Sequence, residues 1–169
     1  LLLLQEFSNA ASLNRFVALL NAVSGPNTWA AAPFITGPDT QSVCVYRRSK
    51  VQLIDSVIVA VSDGTTSDQP RHTYRYDVRP VGYSASAATV GCYNVHLKSG
   101  SGSGDNARRL IETTRIRDNA EGQHTNGPGT GLPAGYQFLI AGDMNMQNAS
   151  QTSYVELVGS QANNAGRFF

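Results

Sequence analysis

Charge is scarce in this 169-residue chain: Asp, Glu, Lys and Arg together make up 15% of it, against roughly a quarter in ordinary soluble domains. Thirteen basic residues offset twelve acidic ones to a formal +1, so no strong field of one sign marks it as a partner of nucleic acid, membrane surface or acidic substrate. Only a local basic patch is left open. Cysteine is nearly absent as well. Cys44 and Cys92 are the only two, and without Cys-x-x-Cys or Cys/His spacing they make no zinc site. Both sit inside apolar strand patterns, where ordinary buried thiols are expected ahead of a disulfide or a reactive thiol, and the compartment cannot be read from them. No apolar run approaches the ~20 residues of a membrane span, and Leu1–Leu4 is too short for a signal-peptide core. No internal repeat is visible. Gly, Ser, Thr and Asn fill the connections, a composition that leans slightly toward an extracellular setting.

A chain of 169 residues is long enough for one domain with a real core, and two compact domains would be cramped. Residue 1 is not methionine, the first strand begins with no preceding loop, and residues 165–169 have the look of a strand starting. The expectation is therefore a single partial domain over 1–169, an internal piece with material missing from both ends and any signal peptide outside it.

The most informative stretch is Gly142-Asp143-Met144-Asn145, directly after the apolar run Phe138–Ala141. Strand side chains alternate faces, so in an extended chain Asp143 and Asn145 point the same way. Leu1–Leu4 followed by Gln5-Glu6 has the same form, a strand apolar on both faces that closes with an acid. Val90–Leu97 is a third such strand, with Cys92, Asn94 and His96 on one side. Three buried strands thus end in groups able to bind metal or move a proton. If those ends lie side by side, Glu6, His96, Asp143 and Asn145 share one cleft, the usual place for a site in an α/β fold.

Around these strands, Leu13, Phe16, Val17, Leu20 and Val23 recur at helical spacing before Ser24-Gly25-Pro26, so a helix from about Ala10 to Val23 should pack on the first strand. Further strands are expected over 29–35, 42–48, 51–61, 72–78 and 89–97. The six-residue run Ser99–Gly104 reads as a loop beside the cleft. Asp105 can cap a second helix to about Ala120 with Ala107, Leu110, Ile111 and Thr114 inward. On that helix Arg108, Arg109, Arg115 and Arg117 are expected on a solvated face. Residues 121–135 read as an exposed excursion, 136–141 as a strand, and Ser150 as the cap of a short helix carrying Tyr154, Leu157 and Val158. Arg47, Arg48 and Lys50 fit an exposed hairpin turn better than a phosphate contact, and His72 and His124 lack partner spacing.

Glu6 and Asp143 offer few but hard oxygen ligands. That suits Mg²⁺ or Mn²⁺, which keep several waters and share coordination with a substrate phosphate. His96 could hydrogen-bond or protonate a phosphate oxygen and Asn145 could orient the group, which points to phosphoester hydrolysis. Each residue alone is more simply a solvated strand end, a turn former or a structural histidine.

In this order and at this wide spacing, Leu4-Gln5-Glu6, Asn94-Val95-His96-Leu97 and Gly142-Asp143-Met144-Asn145 resemble the endonuclease/exonuclease/phosphatase, or deoxyribonuclease I-like, superfamily. Val45-Tyr46-Arg47-Arg48 followed by a strand also looks like that family, and the resemblance covers nearly the whole chain. It implies a four-layer α/β/β/α sandwich of two mixed sheets, here with an incomplete set of strands. It implies Glu6 as metal ligand, with Asp143 orienting or activating the attacking water and His96 contacting the phosphate. Asn145 would be a phosphate or metal-water contact, and Arg71, more loosely aligned, a substrate contact. The family pattern also has an asparagine on an earlier strand, a late aspartate and a terminal Ser-Asp-His segment, none of which is present here. The function implied is Mg²⁺-dependent hydrolysis of a phosphodiester or phosphomonoester by a domain with an incomplete site. Its substrate would be DNA, RNA, a phospholipid headgroup or a nucleotide derivative. A non-catalytic binding module or decayed enzyme of the same fold is the alternative.

Overall fold

The computed structural model describes residues 1–123 and 127–159. His124 and the terminal 165–169 segment, considered above, lie outside the described residues. Seven strands and three helices follow in the order β1(Leu2–Phe7), α1(Ala10–Ser24), β2(Trp29–Ala31), β3(Gln41–Arg47), β4(Val51–Ala60), β5(Thr73–Pro80), β6(Val90–His96), α2(Ser103–Ala120), β7(Gln137–Asp143), α3(Thr152–Val158). The strands form two sheets, of order β1-β3-β2 and β4-β5-β6-β7. Every pairing is antiparallel except β6–β7, which is parallel. The larger sheet is thus mixed as expected, while the smaller is antiparallel throughout.

The inner faces of the two sheets meet in one cluster built on Cys44 from β3, Tyr74, Tyr76 and Val78 from β5, and Cys92 from β6. Polar ties cross the same interface: Tyr74 donates to Gln41 Oε1 at 2.6 Å and Tyr76 to the Ser42 carbonyl at 2.9 Å. Both cysteines are free and buried, and burial pushes the thiol of Cys44 up to about 12 and that of Cys92 to about 11. The reading as inert buried thiols holds.

Helix α1 covers the outer face of the smaller sheet. Leu13 is buried with Val43 and Val45, and Phe16, Val17 and Leu20 pack against Leu2, Leu4 and Phe7. Val23, expected in the same stripe, is exposed. Asn9 caps this helix, its side chain accepting from Ser12 N at 2.9 Å. Helices α2 and α3 cover the larger sheet, where Ile116, Ala120 and Leu157 meet Val59, Tyr93, Val95 and Leu97. The result is α/β/β/α layering.

Several local expectations are corrected. The strand expected over 29–35 ends at Ala31, because Pro33 has no N–H to give the ladder. Asp105 does not cap α2; Gly102 does, and Asp105, three residues on, accepts from its N–H at 3.1 Å. Likewise Gln151, not Ser150, caps α3. The inner face of α2 is formed by Arg109, Glu112, Thr113, Ile116, Arg117, Asn119 and Ala120, whereas Ala107 is exposed. Arg109 and Arg117 are therefore the reverse of solvated. Their hydrogen bonds to main-chain carbonyls make that burial tolerable: Arg109 Nη1 to Lys98 and Gly100, and Arg117 Nη1 to Glu156, Leu157 and Gly159. Within the described residues β7 is half-buried, with Leu139 on an exposed face, because it is the last strand of its sheet.

Candidate active site

Asn94 is the residue that brings the two sheets into register at the site. Its carboxamide Nδ2 donates to the carbonyls of Leu4, at 3.1 Å, and Val43, at 2.9 Å, and its Oδ1 accepts from Gln5 Nε2 at 2.7 Å. One buried side chain of β6 thus grips β1 and β3. Strand alternation then sets His96, two residues on, toward the same inter-sheet space. On the β1 side the pairing register shifts between Leu4 and Phe7, a bulge that holds Glu6 at φ 67°. A glutamate in the left-handed region is strained by about 1–3 kcal/mol, a cost that surrounding structure must offset.

The bulge carries the Glu6 carboxylate to 4.0 Å from His96 Nε2. Asp143 reaches the same nitrogen, its Oδ2 at 3.8 Å, because His96 and Asp143 are register partners in the parallel β6–β7 pair. The Leu97 N–H to Asp143 carbonyl bond, 2.9 Å, locks that register. Gly142 is required here: its φ is 136°, and a Cβ would stand 2.0 Å from the Val95 carbonyl oxygen. Leu4, Gln5, Glu6, Phe7, Phe16, His96 and Asp143 line a cleft of about 380 Å³.

Burial differs sharply within this group. The His96 side chain is 7% exposed, those of Glu6 and Asp143 73% and 52%. Burial and the nearby Arg71 charge lower the His96 pKa, against the upward pull of Asp143, Glu6 and Asp39. The balance favours the neutral imidazole. Its Nδ1 is buried without a hydrogen-bond partner among the described residues. Both Nε2 separations exceed a direct hydrogen bond, the situation in which a bridging oxygen is the natural third party.

Asn145 reaches this place differently from the expectation. The strand ends at Asp143 and Asn145 adopts φ 50°, so simple alternation does not apply. Its N–H donates to Asp143 Oδ1 at 3.0 Å, and its carboxamide donates to the Leu97 carbonyl, also at 3.0 Å. It is thus beside the cleft with its amide nitrogen engaged. Arg71 is placed on a neighbouring cavity: it donates to the His96 carbonyl at 3.3 Å and pairs with Asp39 at 2.9 Å. Arg47, Arg48 and Lys50 are exposed as expected, but the turn they form is not a hairpin: β3 and β4 belong to different sheets, and this turn carries the chain from one sheet to the other. Asn94, Gln5 and Asp39 were not singled out as functional from the sequence, although the face shared by Asn94 and His96 was a usable signal.

Among the described residues no group of three or more His, Cys, Asp or Glu side chains forms a metal cage. The donors that do converge are two exposed carboxylates. That set fits an ion that keeps most of its water or takes oxygens from substrate, as Mg²⁺ does, and does not fit zinc or calcium.

The architecture is that of a two-sheet α/β sandwich whose candidate site lies where strand ends from both sheets meet. No family model and no curated protein matches the sequence. Among solved structures, the chain is similar to ANGEL2, described as a 2′,3′-cyclic phosphatase in complex with adenosine-2′,3′-vanadate, with a TM-score of 0.53 and 15% identity. The match covers 90% of this chain and 42% of that one. ANGEL2 has the endonuclease/exonuclease/phosphatase fold, so the likeness supports the expected sandwich at the level of fold.

Proposed function

We propose that this domain belongs to a metal-dependent phosphoesterase and that the Glu6–His96–Asp143 cleft receives the phosphoryl group. The observation that carries this is the approach of two carboxylates, one from each sheet, to a single nitrogen of a largely buried imidazole. The fold shared with a structure described as holding a nucleoside vanadate supports the same class.

In this reading Glu6 and Asp143 hold Mg²⁺ or Mn²⁺, which when bound supplies charge stabilisation at the phosphoryl oxygens. Asp143, with an oxygen on the Asn145 N–H, orients the attacking water. His96, neutral and backed by the core, donates from Nε2 to a phosphoryl oxygen and places no second positive charge beside the ion. Asn145 stabilises the turn that presents Asp143.

The test is hydrolysis of bis(p-nitrophenyl) phosphate with added Mg²⁺, with and without chelator, alongside calorimetric Mg²⁺ titration. Glu6→Gln should cut a metal-dependent rate at least tenfold, about 1.4 kcal/mol of barrier, and weaken the Mg²⁺ isotherm. An unchanged rate and isotherm reject the ligand role. Should wild type neither bind Mg²⁺ nor cleave the diester, the non-catalytic binding module becomes the better account.

A further inference from the structure

Where the chain leaves β6 it enters the wall of a second cavity, of about 320 Å³, whose lining includes Asp39, Thr66, Arg71, Lys98, Ser99 and Arg108. Three cations face one carboxylate there, and no aromatic or long aliphatic side chain is present. Apart from Gly64 and the rings of Pro38 and Pro70, the lining is polar or charged, which suits a compact oxyanion.

Both rims are held in place. On one, the loop after β4 is closed on itself, with Thr65 N–H donating to Asp63 Oδ1 at 2.7 Å and Asp63 N–H to Asp68 Oδ2 at 3.0 Å. Arg115 then pins Asp68 to α2 at 2.7 Å. On the other, Lys98 N–H donates to the buried Glu112 at 2.8 Å, and Arg109 holds the carbonyls of Lys98 and Gly100.

The cations differ in how far they are neutralised. Arg71 pairs with Asp39 at 2.9 Å and Lys98 with Asp105 at 2.8 Å. Among the described residues Arg108 hydrogen-bonds the carbonyls of Asp68 and Thr65 and makes no salt bridge to a carboxylate. The cavity also neighbours the first cleft, although the two share no lining residue. Arg71 bonds the His96 carbonyl, and Ser99 is three residues from His96, at most about 11 Å along an extended chain.

We propose that this cavity binds a second, non-reacting phosphate group of the same substrate, with Arg108 as its principal charge and Lys98, Thr66 and Ser99 as supporting donors. The inference rests on the phosphoesterase reading and extends it to substrates with two neighbouring phosphates. A nucleotide strand and a multiply phosphorylated headgroup share that chemistry.

The experiment compares the p-nitrophenyl ester of thymidine 5′-phosphate with the same ester carrying a 3′-phosphate, and in a second arm inositol 1-phosphate with inositol 1,4-bisphosphate. The two-phosphate member of one pair should be preferred in kcat/KM, and the preferred pair names the source. Arg108→Gln should reduce that preference at least tenfold, and so should Lys98→Gln, which guards against a loop disturbed by the first variant. An unaltered preference in both variants, or no preference in wild type, overturns the proposal. If no substrate turns over, thymidine 3′,5′-bisphosphate is titrated into the ¹⁵N-labelled protein. Shifts at Thr65, Thr66 and Ser99 that Arg108→Gln removes uphold this site while the catalytic reading fails; their absence overturns the site.

Discussion

Gln5 Nε2 donates to Asn94 Oδ1 at 2.7 Å, one residue before Glu6 on one sheet and two before His96 on the other. The spacing of the candidate site is therefore set by a hydrogen bond that is not part of its chemistry. Asn94 is 1% exposed, and Asn94→Ala withdraws its donors from the Leu4 and Val43 carbonyls. Stranding buried acceptors costs about 1–3 kcal/mol. The expected result is that loss in urea unfolding together with weaker Mg²⁺ binding, since the Glu6 bulge is no longer tied down. Full retention of both would show that the tie does not position the site.

Gly142 precedes the site aspartate at a place no side chain fits, 2.0 Å from the Val95 oxygen with φ 136°. Gly142→Ala must push β7 away from β6 or strain its own backbone. A destabilisation of about 3 kcal/mol is expected, at the upper end for overpacking and unfavourable φ. Thermal unfolding measures it, and a change within the ordinary surface range of about 0.5 kcal/mol contradicts the close approach.

His96 should titrate below the usual histidine midpoint of 6.5, owing first to its burial and then to Arg71. The two carboxylates oppose that shift, so Asp143→Asn and Glu6→Gln should each move the midpoint lower still. Imidazole NMR titration reads this directly. In linkage terms, the unfolded chain binds the His96 proton more readily than the native one, so this residue's contribution to stability is present above about pH 6.5 and falls away as the pH drops. A midpoint raised by either substitution would mean the carboxylates do not face the ring.

Glu112 works with the opposite sign. Burial raises its pKa from 4.5 to about 7, although Arg71, Arg108, Arg109 and the Lys98 N–H favour its charge. The native state keeps a proton that the unfolded chain releases above pH 4.5. Stability from this group is thus full below that point and declines as the pH rises through about 7, by on the order of 3 kcal/mol. Glu112→Gln should flatten that slope while retaining an acceptor for Lys98. Equal slopes in variant and wild type, followed by chemical denaturation across this range, would remove Glu112 as the cause.

Residues whose local pattern and packing agree were readable before any coordinates. Helix α1 carries an apolar stripe and buries it, and β6 alternates so that Cys92, Asn94 and His96 share the inter-sheet face while Tyr93 and Val95 face α2. Periodicity reports burial there because the buried side chains are apolar or sit at strand spacing. Helix α2 defeated that reading. Its inner face carries Arg109, Glu112, Arg117 and Asn119, whose burial depends on partners outside the helix, among them the Lys98 N–H, the Gly100, Thr130 and Gly159 carbonyls and the Arg75 and Tyr93 side chains, which helical periodicity does not show. Arg71 shows the same limit, since residue type allows a phosphate contact but the choice of cavity depends on Asp39 and the His96 carbonyl. The identities of Glu6, His96 and Asp143 are written in the chain. Their convergence on one ring nitrogen comes from a bulge, a parallel register and an inter-sheet amide, because distances between strands belong to packing and not to any single segment.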